Sequence, residues 1–306
     1  MAVDLQVSFG PLKLKNPLIA ASGTFGYGRE YGEIYDVSRL GALVSKSVTL
    51  KTRAGNAPPR VVETASGMLN SIGLANAGLG HFLTKELPAM RRLGTAVIVN
   101  IAGKTVAEFE ELAEAVGAQD GVSAVEINVS CPNVKEGGMA FGVDPAATRR
   151  VVRAVRRKTR LPIITKLTPN VTSITDVARA AADGGSDILS LINTLLAMAV
   201  DWRRRRPVLG GVTGGLSGPA IKPVALRMVY EVARLGVAPV IGIGGIMTAD
   251  DVLEFLVAGA TAVQFGTANF ADPMAGIRLL AELEGTLAAH RVDKVSDLVG
   301  TLRDDM

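Results

Sequence analysis

V-I-G-I-G-G-I-M-T-A-D-D-V-L-E-F-L-V-A-G-A-T-A-V-Q-F-G-T, residues 240–267, holds one complete strand–helix–strand unit. Residues 240–242 and 262–265 are short aliphatic runs, the pattern of parallel strands buried on both faces. Between them, Thr248 with Asp251 is a helix start signal ahead of Val252, Phe255 and Leu256, and Gly259 closes the helix. A strand, a helix and a returning parallel strand make the repeating piece of an α/β fold.

The same alternation extends through the chain. Candidate strands lie at 18–21, 42–45, 96–100, 124–128, 163–166, 188–192, 240–242 and 262–265. Thr105 with Glu108 reads as a capping box before Val106, Phe109, Leu112 and Val116. Asp144-Pro145 is an N-cap followed by proline at the first helical position, and Asp272-Pro273 is expected to open the last helix. Eight repeats predict an α/β chain closed as a (β/α)8 TIM barrel, a single domain over 1–306, with an open Rossmann-like sheet as the runner-up. Three connections are too long for simple barrel loops: 47–80 after the second strand, 129–143 after the fourth and 193–218 after the sixth. Barrels build their sites on such loops, at the strand C-termini.

Composition narrows the function classes. Hydrophobic residues are 48% and charged residues 20%, and mean hydropathy is +0.31, which fits a large buried sheet. The richest apolar stretch, 188–200, is broken by Ser190, Asn193 and Thr194, and the N-terminus carries Asp4, Lys13 and Lys15. No membrane span and no signal peptide are expected, and the cytoplasm is the expected compartment. A single cysteine, Cys131, cannot form an internal disulfide or ligate an iron–sulfur cluster. His81 and His290 lack ligand spacing, so no metal site is expected. The net charge is +4, with basic clusters at 149–160 and 203–206 that read as surface charge. Aromatic residues are 4%, too few to suggest stacking platforms for nucleic acid.

Polar residues recur where the strands end. Lys46, Asn100, Asn128 and Lys166 end the second to fifth strands, and Asn193 and Thr194 follow the sixth. One such residue is unremarkable as a strand terminator, but five strands ending this way point to a ligand that satisfies them. The seventh and eighth strands instead run into I-G-I-G-G-I (241–246) and F-G-T (265–267), glycine turns ahead of helix starts. Such turns after these two strands predict a phosphate site. The third glycine of a dinucleotide fingerprint is missing, so direct NAD binding is not expected. A phosphate with a ring of amides and lysines suits FMN, with Lys166 near the flavin pyrimidine end and Lys46 serving the flavin or an anionic substrate. S-C-P-N-V-K-E-G-G (130–138) follows the fourth strand. A lone cysteine is most often a small buried hydrophobe. Cys131, just past Asn128 and held extended by the following proline, reads instead as a general base; no His or Asp is spaced to make it a hydrolytic nucleophile.

These residues carry a resemblance. N-P-L-I-A-A-S-G-T-F-G (16–26), G-N-A-P-P-R-V-V-E-T-A-S-G-M-L-N-S-I-G-L (55–74), E-I-N-V-S-C-P-N-V-K-E-G-G (126–138), K-L-T-P-N-V-T (166–172), I-N-T-L (192–195), T-G-G-L-S-G-P-A-I-K-P (213–223), G-I-G-G-I (242–246) and G-T-A-N-F (266–270) resemble the dihydroorotate dehydrogenases over nearly the whole chain. The cysteine marks the class 1 branch, since the membrane-associated class 2 branch has serine as base, and the 130–138 form is most similar to class 1B. The resemblance implies oxidation of dihydroorotate to orotate in pyrimidine biosynthesis. It implies FMN contacts at Ser22, Lys46, Ser47, Asn100, Asn128, Lys166, Ile192, Gly218, Gly244, Gly245, Gly266 and Thr267. It implies orotate contacts at Lys46, Asn70, Ser71, Ile72, Gly73, Leu74, Asn128, Asn193 and Thr194. Cys131 would take the C5 proton while C6 passes hydride to flavin N5. Class 1B members pair with a subunit carrying FAD and a [2Fe–2S] cluster and reduce NAD, so a homodimer within a heterotetramer is expected; fumarate is the competing acceptor. Trp202 to Arg206 is richer in arginine than the family leads one to expect. The rival functions are a flavin barrel acting on tRNA uridines, for which no RNA-binding domain remains, and a non-catalytic phosphate-binding barrel, which would not need Cys131, Lys166 or the asparagines.

Overall fold

The computed structural model describes residues 3–129 and 141–303. Eight parallel strands close into a barrel: β1 (Leu18–Ala20), β2 (Ala42–Val44), β3 (Ala96–Ile101), β4 (Ala124–Asn128), β5 (Ile163–Lys166), β6 (Ile188–Leu191), β7 (Val240–Ile243) and β8 (Ala260–Phe265). Each strand pairs with its neighbours in sequence, and β8 pairs with β1 through Val263 and Leu18. That closure makes this a (β/α)8 barrel and excludes the open sheet. The strands are apolar because both faces are covered: Ile19, Leu43, Ile98, Val125, Ile164, Leu189, Ile241 and Val263 are fully buried.

The helix start signals hold with two corrections. Thr248 forms a full capping box with Asp251, and Asp144 caps Pro145–Lys158 by accepting from the Ala146 N–H. Thr105 caps Val106–Gly117, but Glu108 does not return the bond to Thr105; its carboxylate accepts from the Lys104 N–H at 2.6 Å. A carboxylate engaged by the residue before the cap does not close the box on the cap itself. Asp272-Pro273 does not open the last helix, which runs Ala275–Ala289 from Met274. Asp272 ends the short helix Ala268–Ala271, accepts from the Met274 N–H and pairs with Arg278 at 2.9 Å.

The long connections after β2 and β6 meet above the barrel. Val61–Thr64 and Gly67–Asn70 from the first, and Leu195–Ala197 and Gly214–Ser217 from the second, form one antiparallel sheet, with Asn70 in register with Gly215. Beyond it, Val200–Asp201 and Arg206–Pro207 make a small hairpin. The 203–206 basic cluster thus lies in the turn at the tip of this hairpin, with Arg206 paired to Asp201 where the second strand begins. At the opposite end, the hairpin of Val7–Phe9 and Leu12–Leu14 buries its apolar side chains, and Gly10 sits against Asp187 and Ile188 where β6 begins.

Candidate active site

The site is built at the C-terminal ends of the strands, where two kinds of structure meet. The first is made of backbone. At the end of β7, Gly244 (φ 129°) and Gly245 (φ 77°) adopt conformations that side chains rarely accept. A Cβ on Gly245 would lie 2.9 Å from the Lys222 N and 3.0 Å from the Gly218 O, so this turn and the end of the 193–218 connection touch. Gly218 also lies against Thr267, whose Oγ1 donates to Ser217 Oγ at 2.8 Å. Gly266 packs against Thr24 and Ala21, the residues flanking Ser22 and Gly23 after β1. Gly218, Gly244, Gly245, Gly266 and Thr267, spread over some fifty residues of sequence, thus converge on one spot. The backbone N–H groups of Gly244, Gly245, Gly266 and Thr267 meet no acceptor among the described residues. Convergent, half-exposed N–H donors on glycine turns are what an anion such as a phosphate requires.

The Thr248 helix start contributes differently from the sequence expectation. The Asp251 carboxylate takes the N–H groups of Met247 and Thr248 at 2.8 and 2.9 Å and the Lys222 Nζ at 2.6 Å. Burial pushes the Asp251 carboxyl up, but these hydrogen bonds outweigh it and hold it below the usual carboxylate range. Lys222, bonded to Asp251 and Glu254, is raised above the usual lysine range. The capped turn braces the glycines from below, and its own first N–H groups are already engaged.

The second part is made of side chains. Ser47 Oγ donates to Asn100 Oδ1 at 2.5 Å, and Asn128 Nδ2 donates to Ser47 Oγ at 3.4 Å. Lys166 is 6% exposed and in register with both Asn128 and Ser190. Lys46 is half-buried, its N–H bonded to the Gly26 O. Ile192 is buried next to Gly244 and donates its N–H to the Ile243 O at 2.9 Å, which places it between the glycine turn and the amide tier. These positions join β2, β3, β4, β5 and β6 at one end of the barrel.

The inserted sheet supplies a wall. Asn70 Nδ2 reaches the Gly215 O at 3.3 Å, and Thr194 lies against Gly215, where a Cβ would meet its Oγ1 at 2.0 Å. Asn193 donates its N–H to the Leu167 O and accepts from the Thr194 N–H on its side chain. Residues 71–74 curl around Asn56, which donates from its backbone to the Ile72 O and from its side chain to Ser71 Oγ. Gly73 (φ 74°) and Leu74 (φ 57°) are consecutive left-handed residues, and for leucine that conformation is strained. Asn70, Ser71, Ile72, Gly73, Leu74, Asn193 and Thr194 therefore share one wall over the barrel mouth. Cys131, and the 130–138 segment with it, lies outside the described residues.

One residue of the site, and two that lie beneath it, were not singled out in the sequence. Asn170 holds the connection after β6 by donating to the Thr194 O at 3.1 Å and accepting from the Leu196 N–H at 2.9 Å. Glu126 and Gln264 lie inside the barrel with no exposed surface, beneath Asn100. A carboxylate within A-V-E-I-N and an amide within A-V-Q-F, both in apolar strands, were the available signals.

The fold and the site together define a (β/α)8 barrel with an anion cradle after its last two strands and a polar, walled mouth beside it. The family model described as dihydroorotate dehydrogenase matches residues 4–287. Proteins named dihydroorotate dehydrogenase B (NAD(+)), catalytic subunit, are similar along their length. That of Citrifermentans bemidjiense is 53% identical over 299 residues, and that of Geobacter sulfurreducens 55% identical over 299 residues, each alignment covering 98% of both chains. That of Trichlorobacter lovleyi is 53% identical over 302 residues, covering 99% of both. The chain belongs to the dihydroorotate dehydrogenase family.

Proposed function

We propose that this chain oxidises dihydroorotate to orotate, with FMN seated at the barrel mouth. The carrying observation is the convergence of two glycine turns, with N–H groups that meet no acceptor among the described residues, beside a tier of Asn, Ser and Lys side chains. That donor set fits FMN. Gly218, Gly244, Gly245, Gly266 and Thr267 would hold the phosphate, and Ser22, Lys46, Ser47, Asn100, Asn128, Lys166 and Ile192 the ring system. When bound, the flavin supplies the hydride acceptor.

The chain's own residues do the rest. Lys166 provides a nearly buried cation that favours negative charge at the flavin's pyrimidine end. Asparagine offers a donor and an acceptor together, which suits the alternating N–H and C=O groups of dihydroorotate. Asn70, Asn128, Asn193 and Thr194 would orient that ring with Lys46, while residues 71–74 cover it. Cys131 takes the C5 proton, which is acidic because C5 is α to a carbonyl. A thiol serves as such a base where nearby cations favour its thiolate.

The names of the relatives carry NAD(+) and the words catalytic subunit, which favours NAD over fumarate as final acceptor. Electrons would reach it through a second subunit holding FAD and a [2Fe–2S] cluster, in a heterotetramer built on a homodimer of this chain. The whole chain would serve as one domain, in the cytoplasm. Among the described residues no helix is long and apolar enough to cross a membrane.

The test is direct. The purified chain should be yellow and should bleach anaerobically on addition of dihydroorotate. Cys131→Ala should keep its FMN and lose nearly all orotate formation, about a hundredfold or more for a positioned base. Full activity in that variant would refute the role of Cys131.

A further inference from the structure

Glu126 lies inside the barrel on β4 with no exposed surface. Three other strands supply donors to its carboxylate. Asn100 Nδ2 on β3 donates to Oε1 at 2.7 Å, while Ser190 Oγ on β6 and Gln264 Nε2 on β8 donate to Oε2 at 3.0 and 2.7 Å. Both carboxylate oxygens accept, and they thereby fix the direction of the hydrogen bonds above them.

Asn100 must therefore turn its NH2 toward Glu126 and its Oδ1 toward the mouth. Ser47 meets that oxygen with its only proton, at 2.5 Å. With the proton committed, Ser47 Oγ can only accept, and Asn128 Nδ2 donates to it at 3.4 Å. The Asn128 amide thus turns its NH2 toward Ser47 and carries its carbonyl oxygen on the other side. Gln264 obeys the same constraint: its Nε2 faces Glu126, and its Oε1 is buried with no partner among the described residues.

We propose that Glu126 is a positioning residue for the dihydroorotate site: through Asn100 and Ser47 it fixes which edge of the Asn128 amide, donor or acceptor, is presented at the mouth. The inference rests on the reading that Asn100 and Asn128 face flavin and substrate. A carboxylate two residues before the end of β4, out of reach of any ligand, thereby sets the hydrogen-bonding polarity of the ring that binds it.

The experiment uses the full chain loaded with FMN and reads orotate binding from the visible spectrum of the bound flavin. Glu126→Gln turns one of the two acceptor oxygens into a donor while keeping the shape. It should raise the orotate Kd about tenfold or more. Flavin content per chain should stay unchanged, because the glycine turns hold the phosphate. Gln264→Met removes a donor below Glu126 and leaves the Asn100 link intact. It should lower the unfolding midpoint yet keep the orotate Kd within about threefold of the parent. An unchanged Kd in Glu126→Gln, or a loss of affinity that tracks thermal stability in both variants, overturns the proposal. If Glu126→Gln does not fold, Glu126→Asp, which withdraws the carboxylate from Asn100 by one methylene, must show the same split; unaltered orotate affinity there overturns it equally. A parent chain that binds FMN but shows no spectral response to orotate refutes the reading of the site itself, and with it this inference, before any variant is compared.

Discussion

The two halves of the barrel mouth are made of different material. After β7 and β8 the donors are backbone N–H groups on glycine turns, and side chains serve only as braces underneath, as Asp251 and Lys222 do. After β2, β3 and β4 the donors and acceptors are side chains, linked in a chain from Glu126 to Asn128. A backbone cradle reads charge and little else, since every N–H is alike. A relay of amides reads the order of donors and acceptors, because each member's orientation depends on the one below. The first half is therefore suited to a phosphate and the second to telling one nitrogen heterocycle from another, and each should fail in its own way.

The sharpest break is expected at Gly245. Its φ of 77° and the contacts a Cβ would make with Lys222 and Gly218 leave no room for alanine. Gly245→Ala should cost about 2 kcal/mol in local strain and reduce flavin retained per purified chain about tenfold or more. Absorbance of the bound flavin after gel filtration measures it. On the side-chain half, Asn128→Ala should leave flavin content close to the parent value and weaken orotate binding about tenfold, the worth of one good hydrogen bond. Equal loss of flavin in both variants would erase the distinction between the two halves.

That same contrast explains what could be read in the sequence. The eight barrel strands were legible because buried parallel strands are short aliphatic runs, and the glycine turns because I-G-I-G-G-I and F-G-T follow two of them. Lys46, Asn100, Asn128 and Lys166 were legible as polar ends on apolar strands. The inserted sheet was not, since Asn70 and Gly215 pair across a long sequence separation and their segments carry no clean alternation. Glu126 and Gln264 were missed because a lone polar residue inside an apolar strand does not disclose its partners, and Glu126 needs three strands to make sense. Asp251 was read as half of a capping box, but its bond to Lys222 depends on the packing of two helices.

The brace beneath the glycines gives a pH test. The Asp251 carboxyl is lowered, so the stability it contributes is present above its ordinary range and lost as pH falls through the lowered value. Lys222 is raised, so its contribution is present below the ordinary lysine range and lost only as pH rises through the raised value. Between about pH 5 and pH 9 the pair should therefore be at full strength. Asp251→Asn should destabilise the chain by about 2 kcal/mol in that window. The difference from the parent should shrink below about pH 4, as the parent loses the same charge. Denaturant unfolding at a series of pH values measures it, and a difference constant down to pH about 2 would mean that the Asp251 charge is not what braces the turn.

The smallest effect is expected outside both halves, at the hairpin tip. Trp202 is 71% exposed, with Arg203 stacked over its ring at 4.7 Å, and Arg204 pairs with Asp201 at 3.6 Å. Exposed pairs of this kind are worth little, because solvent screens the charge and the long side chains resist ordering. Trp202→Ala should change the stability of the isolated chain by no more than about 0.5 kcal/mol and leave flavin content and orotate affinity at the parent values. Denaturant unfolding and the same flavin spectrum check both. The hairpin grows from the very connection that carries Asn193 and Thr194, so the result tests where the site ends. A fall in orotate affinity would mean that the strands Leu195–Ala197 and Gly214–Ser217 transmit the state of the tip to Thr194, and the wall would then have to be counted as one piece with its exposed extension.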